Sequence, residues 1–170
     1  MLYAIRALST EHYSPQQIEA IVESQELGRR RRFAMNKELL YGAWLESRLV
    51  SISAMSTFWG TGSVDGIFVH PDFVRRGIGR QMLMKLEETA LERKCVSMNV
   101  WSSLTAVNLY ESVGYARVCS HVQDHKNERI ACMVMNKTID YAGFKRSQRR
   151  IRLGLTCFVA ASIAIVASFM

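Results

Sequence analysis

Residues 75 to 80, Arg-Arg-Gly-Ile-Gly-Arg, combine cationic side chains with backbone that a ligand can approach closely. Ile78, Met82, Leu83, Leu86, Ala90 and Leu91 recur near a period of 3.6, which predicts a helix over Gly77 to Arg93. The first four N–H groups of a helix have no partner within it, and the helix dipole makes that end partly positive. Such an end suits a phosphate or pyrophosphate. Gly77 and Gly79 lack a Cβ, so a diphosphate can approach there, with Arg75, Arg76 and Arg80 around the same mouth. The pattern is not a P-loop, because no Lys followed by Ser or Thr comes after the glycines, and it holds only one G-x-G of a dinucleotide fingerprint.

The residues around this loop carry a more specific resemblance. Val69-His70-Pro71-Asp72, the two arginines, Gly77-Ile78-Gly79 and Leu83 resemble the acyl-coenzyme A signature of the GNAT acetyltransferase superfamily. Val74 stands where that family usually has Gln or Arg. A second stretch resembles the family's later signature, a strand followed by a short helix with A-x-x-x-Y-x-x-x-G-[FY]. It runs from Met98 through Ser103-Leu104-Thr105-Ala106 to Tyr115, with Ala106, Tyr110, Gly114 and Tyr115 at the matching positions. Ser103 stands where Asn is often found, and Ser-Leu-Thr-Ala looks like one bacterial branch.

The resemblance implies an N-acetyltransferase that takes acetyl-CoA as co-substrate, needs no metal and acts on a small-molecule or protein amine. It implies that Phe68 and Val69 end the strand that pairs with the pantetheine arm. The loop Val74, Arg75, Arg76, Gly77, Ile78, Gly79 and Arg80 would hold the pyrophosphate, and Ser103 and Ala106 would also bind the coenzyme. Transfer to an amine requires a neutral nucleophile, an oriented thioester and a proton for the departing thiolate. Tyr110 occupies the place of the family's acid. For the base, Asp65 is the first choice: on the central strand it would share a face with Ile67 and Val69, where partial burial raises a carboxylate pKa. Glu19, His12 and His70 are weaker candidates.

The elements that must position these residues can be read in chain order. Ser14-Pro15-Gln16-Gln17 reads as a capped helix start, with Gln17 closing a capping box. GNAT domains begin with a strand, and only Tyr3 to Leu8 is available to supply one, as strand or helix. The run Arg29 to Arg32 reads either as a solvated charged link or as an anion-binding patch. Leu39 to Glu46 and Leu49 to Phe58 predict a hairpin, and Trp59-Gly60-Thr61-Gly62 turns the chain into the central strand. Val96 to Val100 predicts a further strand, and Tyr115 to Val122 with Arg129 to Asn136 a final hairpin. The fold class is therefore α/β: a GNAT-like mixed, mostly antiparallel central sheet flanked by helices, plus a C-terminal hydrophobic helix.

The chain has 170 residues, 49% of them hydrophobic, and a net charge of +7. That charge favours anionic partners: a coenzyme phosphate, a membrane surface or nucleic acid. Cys95, Cys119, Cys132 and Cys157 are too dispersed for a metal site or a disulfide framework, and no signal peptide is expected at the start. The organisation reads as a catalytic domain over 1–140, a basic linker over 141–152 and a transmembrane tail over 153–170. The tail holds 18 residues without a charge, a helix of roughly 27 Å. Lys145, Arg146, Arg149, Arg150 and Arg152 before it place the domain in the cytoplasm, with membrane lipid as a partner. A homodimer stays open. A rival reading is a non-catalytic acyl-CoA sensor or scaffold held at a membrane. A nucleic-acid module is not expected, because the basic stretches lack interleaved aromatics for stacking on bases.

Overall fold

The computed structural model describes residues 2–34, 39–125 and 127–140. Two helices, α1 (Leu2–Leu8) and α2 (Pro15–Ala34), precede a hairpin of β1 (Leu39–Leu45) and β2 (Arg48–Phe58). Then come β3 (Thr61–Val69), α3 (Ile78–Glu92), β4 (Ser97–Ser103), the short α4 (Val107–Glu111), and the hairpin β5 (Ala116–His125) and β6 (Glu128–Thr138). Single 3-10 turns at Pro71–Phe73 and Leu104–Ala106 come after β3 and β4.

One six-stranded sheet runs in the order β1-β2-β3-β4-β6-β5. Every neighbouring pair is antiparallel except β3 and β4, which are parallel and joined only from Thr61↔Ser97 to Val64↔Val100. Past that seam β3 continues for five residues to Val69, paired with β2 alone, and β4 continues to Ser103, paired with β6 alone. A mixed, mostly antiparallel sheet is thus what the chain forms.

The α3 face carries the larger core. Met55, Met82, Leu83, Leu86, Met98 and Met135 are wholly removed from water there. α3 shows the predicted spacing, with Met82, Leu83, Leu86 and Ala90 buried. The opposite face packs Ile5, Tyr13, Ile18 and Val22 of the α1–α2 layer against Phe68 and Ile130. The capping box forms as expected: the Gln17 N–H donates to Ser14 Oγ and the Ser14 N–H to Gln17 Oε1.

Of the two readings for Tyr3 to Leu8 the helix is the one that forms, as α1, so among the described residues the sheet starts at β1, which forms one edge. Ser51 and Ser53 of β2 are buried because they share the face of Val69 and Ile67, their partners in β3, which packs on the α3 side. The backbone of Arg29–Arg32 is helical, within α2, rather than a link between elements. The basic linker and the tail, residues 141–170, lie outside the described residues, as does any C-terminal helix. Among the described residues no helix is long and apolar enough to cross a membrane.

Candidate active site

The opening between β3 and β4 is made by where their ladder stops. Beyond Val64 the backbone of β3 that faces β4 has no strand partner, which leaves N–H and C=O groups for an extended ligand. A bulge also falls here. Ala54 pairs with Gly66 and Met55 with Val64, so Asp65 is the extra residue. An extra residue resets the alternation of faces. Val64 precedes the bulge and Ile67 lies beyond it, yet both pack on the α3 side, while Phe68 packs toward α1 and α2. Asp65 is half-buried at the mouth of the opening.

The loop after β3 is braced from a neighbouring hairpin. Arg48, at the start of β2, reaches Asp72 Oδ2 at 3.3 Å and His70 Nε2 at 3.2 Å. Its guanidinium also lies 5.0 Å from the centre of the Phe73 ring, and that of Arg76 lies 5.1 Å from it. Cations over an aromatic face are attracted by its quadrupole. Arg75 has φ of 61° and Gly77 φ of 79°, so two left-handed residues turn the chain into α3. Left-handed geometry costs a non-glycine residue of order 1–2 kcal/mol, so Arg75 is held there by its surroundings.

The two glycines act differently. A Cβ on Gly77 would meet nothing within 4 Å, so its outward side is open to a ligand. A Cβ on Gly79 would come within 3.3 Å of Leu109 and 3.6 Å of Val69. Gly79 is therefore small so that α3 can close against the end of β3 and against α4. Arg80 keeps a buried Nε without a hydrogen-bond partner at this first turn. Arg75 and Arg76 are exposed.

The far bank is β4 together with the turn beyond its end. Tyr13, from the α1–α2 turn, holds it: its hydroxyl accepts from the Leu104 N–H at 2.8 Å and donates to the Ala131 carbonyl at 2.8 Å. This fixes the turn that carries Ser103 and Ala106. Thr105 in that turn has a buried hydroxyl without a partner. Tyr110 is buried in α4, edge-on to Tyr115 with ring centres 5.4 Å apart. Burial pushes its phenol pKa well above the usual value. Behind Tyr115, the Lys137 ammonium donates to both oxygens of the buried Glu87 at 2.7 and 2.8 Å. Burial still raises the Glu87 pKa, against the pull of Lys137.

A cavity of about 80 Å³ opens on the α1 side of the β3 end. Tyr3 and Ala4 of α1, Val50 to Ile52, and Phe68 to Pro71 line it.

The Acetyltransferase (GNAT) domain model matches residues 9–139. The chain belongs to the GNAT acetyltransferase family. It is an acyltransferase, and it is 26% identical to the uncharacterized N-acetyltransferase YafP of Escherichia coli K12 over 129 residues, 76% of this chain and 74% of that one. The fold is similar to that of a GCN5-related N-acetyltransferase from Rhodopseudomonas palustris, with a TM-score of 0.70, 24% identity, and 81% of this chain and 84% of that one covered. It is also similar to the PaiA N-acetyltransferase of Thermoplasma acidophilum, solved with coenzyme A, with a TM-score of 0.63, 15% identity, and 81% and 87% covered.

Of the residues singled out in the sequence, Val69 and Gly79 meet at the closed neck of the GNAT loop, and His70 and Arg76 join its brace. Glu19 does not suit a base: it is exposed and paired with Arg6 at 2.7 Å, which lowers its pKa. His12 is exposed. Arg48, Phe73 and Tyr13 were not singled out. The first two are 25 residues apart and meet only through the β2–β3 pairing. Tyr13 carried only the signal of an aromatic beside a helix cap.

Proposed function

We propose that this GNAT acyltransferase moves the acetyl group of acetyl-CoA to a primary amine by direct attack. One observation carries the reading: β3 and β4 part after Val64, and the free length of β3 leads straight into a positive helix start with an open left-handed glycine. A pantetheine arm has amides that can pair with strand edges, and the pyrophosphate it carries suits the loop from Val74 to Arg80. In this reading Phe68 and Val69 end the pantetheine strand, and Ser103 and Ala106 flank the thioester.

The amine nitrogen bonds to the thioester carbonyl carbon and the carbon–sulfur bond breaks. Tyr110 gives its proton to the departing thiolate; its place in the later GNAT signature supports that role. Asp65 takes the amine proton, directly or through water; its place on the bulge at the opening supports it. The amine belongs to a small molecule or a protein chain. The Escherichia coli ribosomal-protein-S18-alanine N-acetyltransferase, a structural neighbour with a TM-score of 0.55, is named for a protein acceptor. The domain over 1–140 sits in the cytoplasm, and the basic segment 141–152 and the uncharged segment 153–170 tie it to a membrane.

Calorimetry of acetyl-CoA binding to the full chain, with Gly77→Glu beside it, tests the first part. The substitution is expected to abolish binding, and an amine screen on wild type is expected to release free thiol. Tyr110→Phe is expected to lower turnover about 100-fold with coenzyme affinity kept. Folded wild type that binds no acetyl-CoA would sink the reading, and binding without thiol release from any amine would favour the non-catalytic sensor.

A further inference from the structure

The end of the sheet opposite the loop carries an exposed aromatic pair. Phe58 and Trp59 stack with ring centres 5.3 Å apart and planes 14° from parallel, 69% and 91% exposed. Val96 beside them is 66% exposed. The turn that presents them is built against its own sequence preference. Trp59 has φ of 48° and Gly60 φ of 74°, so both central residues of this two-residue hairpin are left-handed. Such turns favour Asn-Gly, and a bulky residue in the first position is strained. The fold gains no burial from Trp59 in return, so the indole is explained by something outside the domain.

The chain also departs from this end. Phe58, Thr61, Ser97 and Thr138 lie in one row across the sheet. The Val96 N–H donates to the Gly60 carbonyl and the Ile139 N–H to the Val96 carbonyl, each at 2.9 Å. Asp140, the last described residue, is therefore next to the aromatic turn. Beyond it the sequence brings Lys145, Arg146, Arg149, Arg150 and Arg152, then the 18 uncharged residues from Leu153 to Met170. Arg93 and Lys94 are exposed where α3 ends at the same pole, with Glu92 and Asp140 as the acidic groups among them.

We infer that this pole rests on an anionic lipid surface, with Trp59, Phe58 and Val96 in the headgroup layer and Arg93 and Lys94 against lipid phosphates. Indole and phenyl rings favour that layer, and basic segments add attraction to anionic leaflets. The inference rests on the proposed membrane tail and adds a second, folded contact. It also orients the domain: β3 runs roughly 30 Å from the lipid face to the loop, so the coenzyme mouth opens toward water.

The test uses the full chain carrying Trp44→Phe and Trp101→Phe, which leaves Trp59 as sole tryptophan. It is mixed with vesicles of phosphatidylglycerol and phosphatidylcholine, with and without bromine on the acyl chains near the headgroup. Cosedimentation with a blue shift and quenching of Trp59 is the expected result. In the otherwise native chain, Trp59→Asn is expected to lower vesicle affinity about tenfold while raising Tm, because Asn suits the turn. Cosedimentation with Trp59 unquenched would overturn the folded contact and leave the tail reading standing. A blue-shifted Trp59 before vesicles are added would overturn it in favour of the tail or a second copy covering the pole, and sedimentation velocity separates those two. Absence of cosedimentation would overturn both readings.

Discussion

On the α3 face of the sheet, six large side chains are fully removed from water, and the layer is held by packing. The α1–α2 face has a smaller apolar cluster and is fastened by polar clasps: the Tyr13 hydroxyl across to Leu104 and Ala131, Gln17 to the Arg129 carbonyl at 2.8 Å, and Arg6 to Glu19. Packing resists deformation, whereas individual hydrogen bonds open at low cost. The loop from Val74 to Arg80 leads into the packed side, and the cavity beside Tyr3 and Ala4 opens on the clasped side. A rigid layer beside the loop and a softer one beside the cavity is the contrast between the two faces.

Substitutions can break that contrast, and the largest effect should come from the packed side. Leu86→Ala is expected to cost about 3–5 kcal/mol in urea unfolding, well above Ile18→Ala in the clasped layer. Equal losses would erase the distinction. Lys137→Met comes next, at about 3 kcal/mol, because it strands the buried Glu87. It carries a sign in pH. Burial raises the Glu87 pKa, so its favourable contribution is complete below the unfolded carboxylate value and is lost as pH rises through the folded one. Without Lys137 that loss should be steeper, read as Tm against pH upward from about 4.5.

Tyr13→Phe is expected to cost about 1 kcal/mol by removing the partner of a part-buried N–H and carbonyl. Its kinetic signature sharpens the comparison: turnover should fall more than acetyl-CoA affinity, because the turn it holds lies on the far bank. Ser14→Ala should cost about 1 kcal/mol through the lost cap.

The strand, loop and helix from Ser63 to Met84 were legible because each is local: an apolar run, a Pro-Asp turn, a glycine pair, a 3.6 period. The capping box at Ser14 and Gln17 was legible for the same reason. The features that escaped depend on which strands meet. The bulge at Asp65 exists only as a mismatch between β2 and β3, and Ser51 and Ser53 are buried because their partners across the strands, Val69 and Ile67, share the face that packs on α3. The Arg48 brace joins residues that no local pattern links. Gly79 was read as a place where a diphosphate approaches, and the neighbour beside it in the fold is Leu109.

The four-residue seam between β3 and β4 has a mechanical consequence. It joins two three-stranded ladders, β1-β2-β3 and β4-β6-β5, each of which is paired along most of its length. A sheet built so bends at its shortest ladder, and the width of the opening becomes a breathing coordinate of the whole domain. Amide exchange should report two blocks, each protected within itself, with Gly62 to Val64 and Met98 to Val100 exchanging as one cooperative unit whose protection rises when a ligand bridges the gap.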